Sequence, residues 1–300
     1  MSCLTYAFSD YIVNGMGADL INLIRVIHYC IHNNIKFHFL GPDNWQLVPE
    51  TPNSARNWTY YFKLTELINM DTENLYPRVS NEHLCNAFKL FIEDVNPFEY
   101  YSNLLKTIYQ PVDHMIVKKN EKLQKFSYLT PENYVSIHIR RGDKTSGPWR
   151  EGTIITIDEY LNAFDKNCLS YPPTVKYVYV ATDTESVIHE LKTKCVDCDK
   201  ILDVPTDDVI GTLPNGIVLI YDSQEIRRDG YVYKLYNDAI NINDKEDEIV
   251  TFMKNIDLLV GSHDIIGSRM SFFFIVAELL RCKQGTSLST NLYYPVNFYD

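Results

Sequence analysis

From Tyr134 to Cys282, short apolar runs alternate with segments of helical spacing, and this alternation narrows the available folds more than any other feature. Residues 134–139, 177–181, 201–204, 217–220 and 257–260 read as strands. Residues 157–167, 185–194, 247–255 and 269–282 read as helices, the second opened by Thr182-Asp183-Thr184-Glu185, a capping box in form. Strands joined through helices specify an α/β domain built on a parallel sheet. The N-terminus repeats the theme. A strand over 3–8 is followed by the loop Asn14-Gly15-Met16-Gly17. A helix then carries Leu20, Ile21, Leu23, Ile24, Ile27 and Ile31, and a strand over 35–40 is stopped by Gly41-Pro42.

Residues 42–125 are less regular, with helices predicted over 82–92 and 100–118. Lys118, Lys119, Lys122 and Lys125 read as a solvated helix face or linker and mark a boundary between domains 1–125 and 126–300. A chain of 300 residues is long enough for both. Its 28 basic and 39 acidic residues leave a net charge of −11, which excludes an overall nucleic-acid footprint. The seven Cys are an odd number in a chain too long to need disulfide staples. Residues 1–6 show no secretory pattern, and no apolar run approaches the ~18 residues of a bilayer span. The expectation is a cytoplasmic protein with reduced thiols, from a bacterium or virus or cut from a longer chain, with no nucleic-acid partner and no membrane span. Without secretion, the sequon Asn57-Trp58-Thr59 and the tripeptide Arg141-Gly142-Asp143 carry no meaning.

The chemistry concentrates on one strand, Tyr134-Val-Ser-Ile-His138-Ile-Arg140, followed by Arg141-Gly142-Asp143-Lys144. Alternation puts Val135, Ile137 and Ile139 on one face and Ser136, His138 and Arg140 on the other. A central parallel strand is expected to be apolar on both faces, so the polar turn toward its carboxyl end is informative. Ligands of open α/β sheets bind just outside those ends, where His and Arg are placed to hold an anion such as phosphate. A buried His–Arg–Asp network tying two elements together would use the same residues. Two further strands end in small polar residues, Thr182-Asp183 and Gly261-Ser262-His263-Asp264, and Gly267-Ser268-Arg269 opens a helix whose N-terminus favours anions. Together they predict a single crevice.

At these residues the sequence resembles the fucosyltransferase superfamily, the α1,6-fucosyltransferases and protein O-fucosyltransferases. His138-Ile-Arg140-Arg141-Gly-Asp143-Lys144 is similar to their first motif, His-x-Arg-Arg-x-Asp-Lys. The strand ending Ala181-Thr182-Asp183 is similar to the second, and residues 247–271 to the third. Asn14-Gly15-Met16-Gly17 resembles their N-terminal glycine loop. The resemblance implies a GT-B architecture of two Rossmann-like domains facing across a cleft, with the acceptor on 1–125 and the nucleotide-sugar donor on 126–300. It implies inverting, metal-independent transfer of fucose from GDP-fucose to a glycan or other hydroxyl acceptor, with no cofactor beyond the donor substrate. Residue by residue, it puts His138 at the guanine and ribose end, Arg140 on the β-phosphate, Asp143 and Lys144 around fucose and phosphate, and Asp183 in the nucleotide pocket. Gly15 and Gly17 join the donor site. Glu248 is the nearest acidic candidate for guanine, although the alignment is one residue out of step there. Ser262 or Ser268 stands in for the phosphate-touching serine, with Arg269 beside it. Arg140 and Lys144 stabilise the leaving diphosphate. The relatives' general-base position falls on Pro148, so Glu151, further along the loop, and Asp19, after the glycine loop, are the candidates; Trp149 could stack on an acceptor sugar or simply pack down.

Other readings stay open. The donor could be another GDP-sugar, or the chain a non-catalytic glycan-binding relative, which Pro148 favours. A dinucleotide-dependent oxidoreductase would bind NAD at Gly15 and Gly17, but Leu20 stands where a third glycine is needed. Cys195-Val-Asp-Cys198 is a lone pair without the second pair a zinc site needs, and reads as structural thiols. His28 and His32 share a helix face with no carboxylate at motif spacing. No metal site is expected.

Overall fold

The structure, a computed structural model, describes residues 3–6, 16–39, 58–63, 83, 86–87, 97–141, 154–196, 204–227 and 242–289. The chain divides into two compact units. Residues 1–119, 238–250 and 296–300 form the first, and 120–237 and 251–295 the second. Residues 238–250, which the sequence grouped with the second half, thus belong with the first unit.

In the first unit, β1 (Cys3–Tyr6) and β2 (Lys36–Phe39) pair in parallel through α1 (Met16–His32), as a βαβ unit requires. The helix starts inside the expected glycine loop. Met16 is buried and extends the stripe of Leu20, Ile21 and Ile24 by one turn, so Gly17 is helical. The short helix α2 (Trp58–Tyr61) precedes α3 (Pro97–Ile108) and α4 (Asp113–Leu123). The helix expected over 100–118 is therefore two helices. Pro111 has no N–H to continue α3, and the break is held by Val112 N–H on the Tyr61 carbonyl (3.0 Å) and Lys63 N–H on that of Gln110 (2.7 Å). Of the helix expected over 82–92, His83, Asn86 and Ala87 are helical and the rest lies outside the described residues.

The second unit is a six-stranded sheet. Its strands are β3 (Tyr134–Ile139), β4 (Tyr177–Thr182), β5 (Val209–Thr212), β6 (Val218–Ile220), β7 (Ile265–Gly267) and β8 (Thr286–Ser287). Their spatial order is β5-β6-β4-β3-β7-β8, parallel throughout except for the antiparallel pair β5–β6. The helices are α5 (Ile157–Cys168), α6 (Glu185–Lys192), α7 (Ile242–Val260) and α8 (Phe272–Arg281). Val135, Ile137, Ile139, Val178 and Val180 pack one face of the sheet against Ile157, Tyr160 and Phe164 of α5 and Val187, Ile188 and Leu191 of α6. The other face meets α7 and α8, with the hydroxyls of Tyr134 (2.7 Å) and Ser136 (3.1 Å) both on the Leu258 carbonyl.

Three expectations are corrected. The strand expected over 257–260 is the last turn of α7, because Ile256 and Leu259 continue the buried stripe of Ile249 and Met253. The strand lies instead at Ile265–Gly267. The helix expected from Arg269 starts at Phe272, leaving Ser268 and Arg269 in the preceding loop. Thr184 caps α6 without a side-chain bond, since its hydroxyl turns to Asp183 (3.1 Å). The capping box is at α5, where Thr156 Oγ1 accepts from Glu159 N–H (3.2 Å) and Glu159 accepts from Thr156 N–H (2.7 Å). Of the strand expected over 201–204, only Val204 is described, and it is not in a strand. Among the described residues no helix is long and apolar enough to cross a membrane.

Candidate active site

The sheet order brings β4, β3 and β7 side by side, so two of the strand ends singled out in the sequence, those of β3 and β4, are neighbours, whereas the third, residues 261–264, precedes β7. Ile139 pairs with Thr182, which delivers Arg140 and Asp183 together at the carboxyl edge. Arg140 Nη1 donates to Asp183 Oδ2. Asp183 Oδ1 accepts from Arg141 N–H (3.1 Å) and from the Thr184 hydroxyl (3.1 Å). Arg141 also donates through Nη1 to Glu190 on α6 (2.8 Å). One carboxylate thus fixes the exits of two strands. Arg140 and Asp183 keep about a quarter of their side-chain surface exposed, 26% and 28%, so a ligand can reach them.

His138 lies behind Arg140 on the same face. It is 6% exposed and stacks on Phe273 of α8 at 4.9 Å between ring centroids. Burial, opposed by Asp183 and helped by Arg140, pulls its pKa down to about 4, so the ring is neutral at physiological pH. Among the described residues its buried Nδ1 has no hydrogen-bond partner. A buried polar atom left open beside a cation is a feature of a site that a ligand completes.

The β7 end supplies Ser268, not Ser262. Residues 261–264 precede β7, at the amino edge of the sheet, where the Ser262 hydroxyl donates to the Leu259 (2.7 Å) and Asp264 (2.8 Å) carbonyls. Ser268 emerges two residues beyond the Ile137–Ile266 pair, at the same edge as Arg140. Its hydroxyl bonds Ser289 (3.0 Å) and accepts Met270 N–H (3.2 Å). Gly267 makes this exit possible, since a Cβ there would stand 2.2 Å from the Phe274 ring. Arg269 is committed elsewhere. Its Nε and Nη2 form a bidentate pair with buried Glu278, both at 3.0 Å, and Glu278 also accepts Gly285 N–H (2.8 Å).

The remaining candidates are dispersed. Gly17 and buried Asp19 lie in the first turn of α1, in the first unit. Glu248 is half-buried on α7 and also belongs to the first unit. Gly15, Asp143, Lys144, Pro148, Trp149 and Glu151 lie outside the described residues, as does Cys198. His28 shares a hydrogen bond with Tyr101. Among the described residues no cluster of three or more His, Cys, Asp or Glu side chains could hold a metal ion.

The sequence reading missed the cluster beneath the edge of β6, where Lys254, Asn255, Asp222 and Glu225 meet. A signal was present: Lys254 stands four residues after Val250 on α7, inside an otherwise apolar stripe. A cavity of about 690 Å³, lined by Lys125, Tyr128, Asn133, Lys176 and Tyr177 among others, opens at the amino edge, away from Arg140.

Residues 81–208 match a family described as the α-(1,6)-fucosyltransferase N- and catalytic domains. No curated protein sequence matches the chain. Among solved structures, NodZ α-1,6-fucosyltransferase soaked with GDP-fucose superposes with a TM-score of 0.54 at 14% identity, covering 93% of this chain and 92% of that one. Fucosyltransferase NodZ from Bradyrhizobium gives 0.53 at 12%, with 93% of each chain covered. NodZ co-crystallized with GDP gives 0.50 at 10%, covering 93% and 92%. The fold and the matched segment, which contains His138, Arg140 and Asp183, support a glycosyltransferase of GT-B architecture. Within that class they support the fucosyltransferase superfamily.

Proposed function

We propose that this chain transfers fucose from GDP-fucose to a hydroxyl acceptor, with inversion and without a metal. The observation that carries the reading is Arg140. It lies in the family-matched segment, stands partly exposed at the carboxyl edge of a parallel sheet, and has the open Nδ1 of His138 behind it. The sheet of the second unit takes the donor and the first unit the acceptor. Arg140 holds the β-phosphate. His138, kept neutral by burial, faces the nucleoside with an uncharged ring. Asp183 keeps Arg140 in place before the donor arrives.

In the transfer the acceptor oxygen attacks the anomeric carbon from the face opposite the diphosphate. The bond from that carbon to the β-phosphate oxygen breaks, and its electron pair leaves on GDP. The departing negative charge grows beside the Arg140 guanidinium, where a preorganised cation lowers the barrier. Lys144 adds a second cation. Glu151 removes the acceptor proton, with Asp19 as the second candidate.

Calorimetric titration with GDP in EDTA, beside UDP and NAD, tests the donor reading. The expected result is GDP binding without metal, weakened roughly 10- to 100-fold by Arg140→Ala, the size of one lost charge-assisted hydrogen bond. UDP binding in place of GDP would overturn the donor, and NAD binding alone would overturn the glycosyltransferase reading. Incubation with GDP-fucose and a glycan panel, with the product's anomeric configuration read by NMR, tests transfer and inversion.

A further inference from the structure

The Lys254 side chain has 0% exposure, and its ammonium lies between the carboxylates of Asp222 and Glu225, 3.2 Å from the latter. Asn255, the next residue, donates to both Glu225 oxygens at 3.1 Å and accepts from the Tyr179 hydroxyl at 2.6 Å. Lys125 reaches Asp222 and also Asp208, the latter at 3.2 Å. Asp208 in turn receives the N–H (2.9 Å) and hydroxyl (2.7 Å) of Ser223. Arg227 folds the segment onto itself, bonding the Asp222 carbonyl at 2.9 Å and lying 5.0 Å from the centre of the Tyr221 ring. Lys125, Arg227 and Lys254 balance Asp208, Asp222 and Glu225.

Ions are a costly means of holding a loop, because well-packed hydrocarbon gives equal or greater stability. What they add is a single geometry for residues 221–227. That segment leaves the carboxyl edge of β6, next in the sheet to β4, whose edge carries Asp183 and so Arg140. With strands about 5 Å apart, it begins two strand spacings, about 10 Å, from Arg140. The contacts continue toward that site. The Arg227 guanidinium is 3.7 Å from Glu225 and 3.8 Å from Glu185, the first residue of α6, which follows Asp183 and Thr184.

We infer that Lys254 is a positioning residue for the donor site. Through Asp222 and Glu225 it fixes residues 221–227, and that segment holds the start of α6, and with it Asp183, in register with Arg140. The inference rests on the proposed role of Arg140 in donor binding.

Lys254→Met keeps the bulk and removes the charge. Amide hydrogen exchange in the purified chain is expected to quicken roughly tenfold in both 221–225 and 187–192, with GDP affinity roughly tenfold weaker, the scale of one coupled contact. Loosening confined to 221–225, or unchanged GDP affinity in the folded variant, overturns the inference. If the parent chain fails to bind GDP, the proposed function falls, and the exchange data alone decide the positioning. The triple variant Lys254→Met, Asp222→Asn, Glu225→Gln separates positioning from charge balance. Positioning predicts that thermal stability recovers while exchange in 187–192 stays fast, whereas recovery of both overturns it. Should Lys254→Met not fold, Glu225→Gln is expected to quicken both segments severalfold, and an undisturbed 187–192 overturns the inference.

Discussion

The two faces of the six-stranded sheet are buried by different means. On one, Val135, Ile137, Ile139, Val178 and Val180 meet hydrocarbon from α5 and α6. On the other, Tyr134, Ser136, His138 and Tyr179 are equally buried, yet each carries a polar atom. Tyr134 and Ser136 use the Leu258 carbonyl, and Tyr179 uses Asn255. Among the described residues of these strands, His138 Nδ1 is the side-chain atom left without a partner. The hydrocarbon face stabilises. The polar face is satisfied up to the point where the strand reaches Arg140, and there it stops being satisfied. Burial alone does not mark the site; the break in hydrogen-bond pairing does.

The largest effect that would sharpen this contrast is on the hydrocarbon face. Phe164→Ala is expected to cost about 3–5 kcal/mol in denaturant unfolding, while GDP affinity of the folded fraction stays unchanged. On the polar face, His138 titrates at about 4 in place of 6.5. The folded state therefore holds fewer protons than the unfolded chain between those values, and stability falls as pH drops from 6.5 to 4. The expected loss is about 3 kcal/mol, and His138→Phe should flatten that limb of the pH–stability curve. If the limb persists in the variant, another group carries it.

A smaller effect belongs to Asp222. Burial would raise its carboxyl, but Lys254 and Lys125 pull it down from 3.8 to about 2. This contribution is fully present above 3.8 and lost as pH falls through 2. It amounts to about 2 kcal/mol, and Asp222→Asn should remove that acid limb while leaving the limb due to His138. The smallest effect is that of Ser136→Ala, at about 1 kcal/mol in thermal unfolding, because the Leu258 carbonyl keeps its bond from Tyr134. A loss as large as that of Phe164→Ala would show that the two faces are not held differently.

Much of this was legible in the sequence, and the misses have physical causes. β3 and β4 were readable because strict alternation has one structural solution. Leu258-Leu259-Val260 was not, since a short apolar run fits a buried helix turn as well as a strand, and only packing arbitrates. That error also misplaced Ser262, because the strand moved past it. The capping box at Thr182 failed for a related reason. β4 runs through Thr182, so the cap of α6 falls on Thr184, and the Thr182 hydroxyl accepts Thr184 N–H (3.4 Å) in place of that of Glu185. Arg269 looked available for phosphate because Glu278, nine residues on, meets it only once β7 and α8 have packed.

By itself, the sequence determined the alternation of strands and helices, the polar turn at the end of β3, and the motif residues His138, Arg140 and Asp183, all properties of local spacing. Tertiary structure decided which strand ends are neighbours, that Ser268 shares the edge with Arg140, and that Lys254 is buried among carboxylates. These are pairings across long stretches of chain. They exist only when separate segments exclude water from one another, and no local pattern encodes the partner.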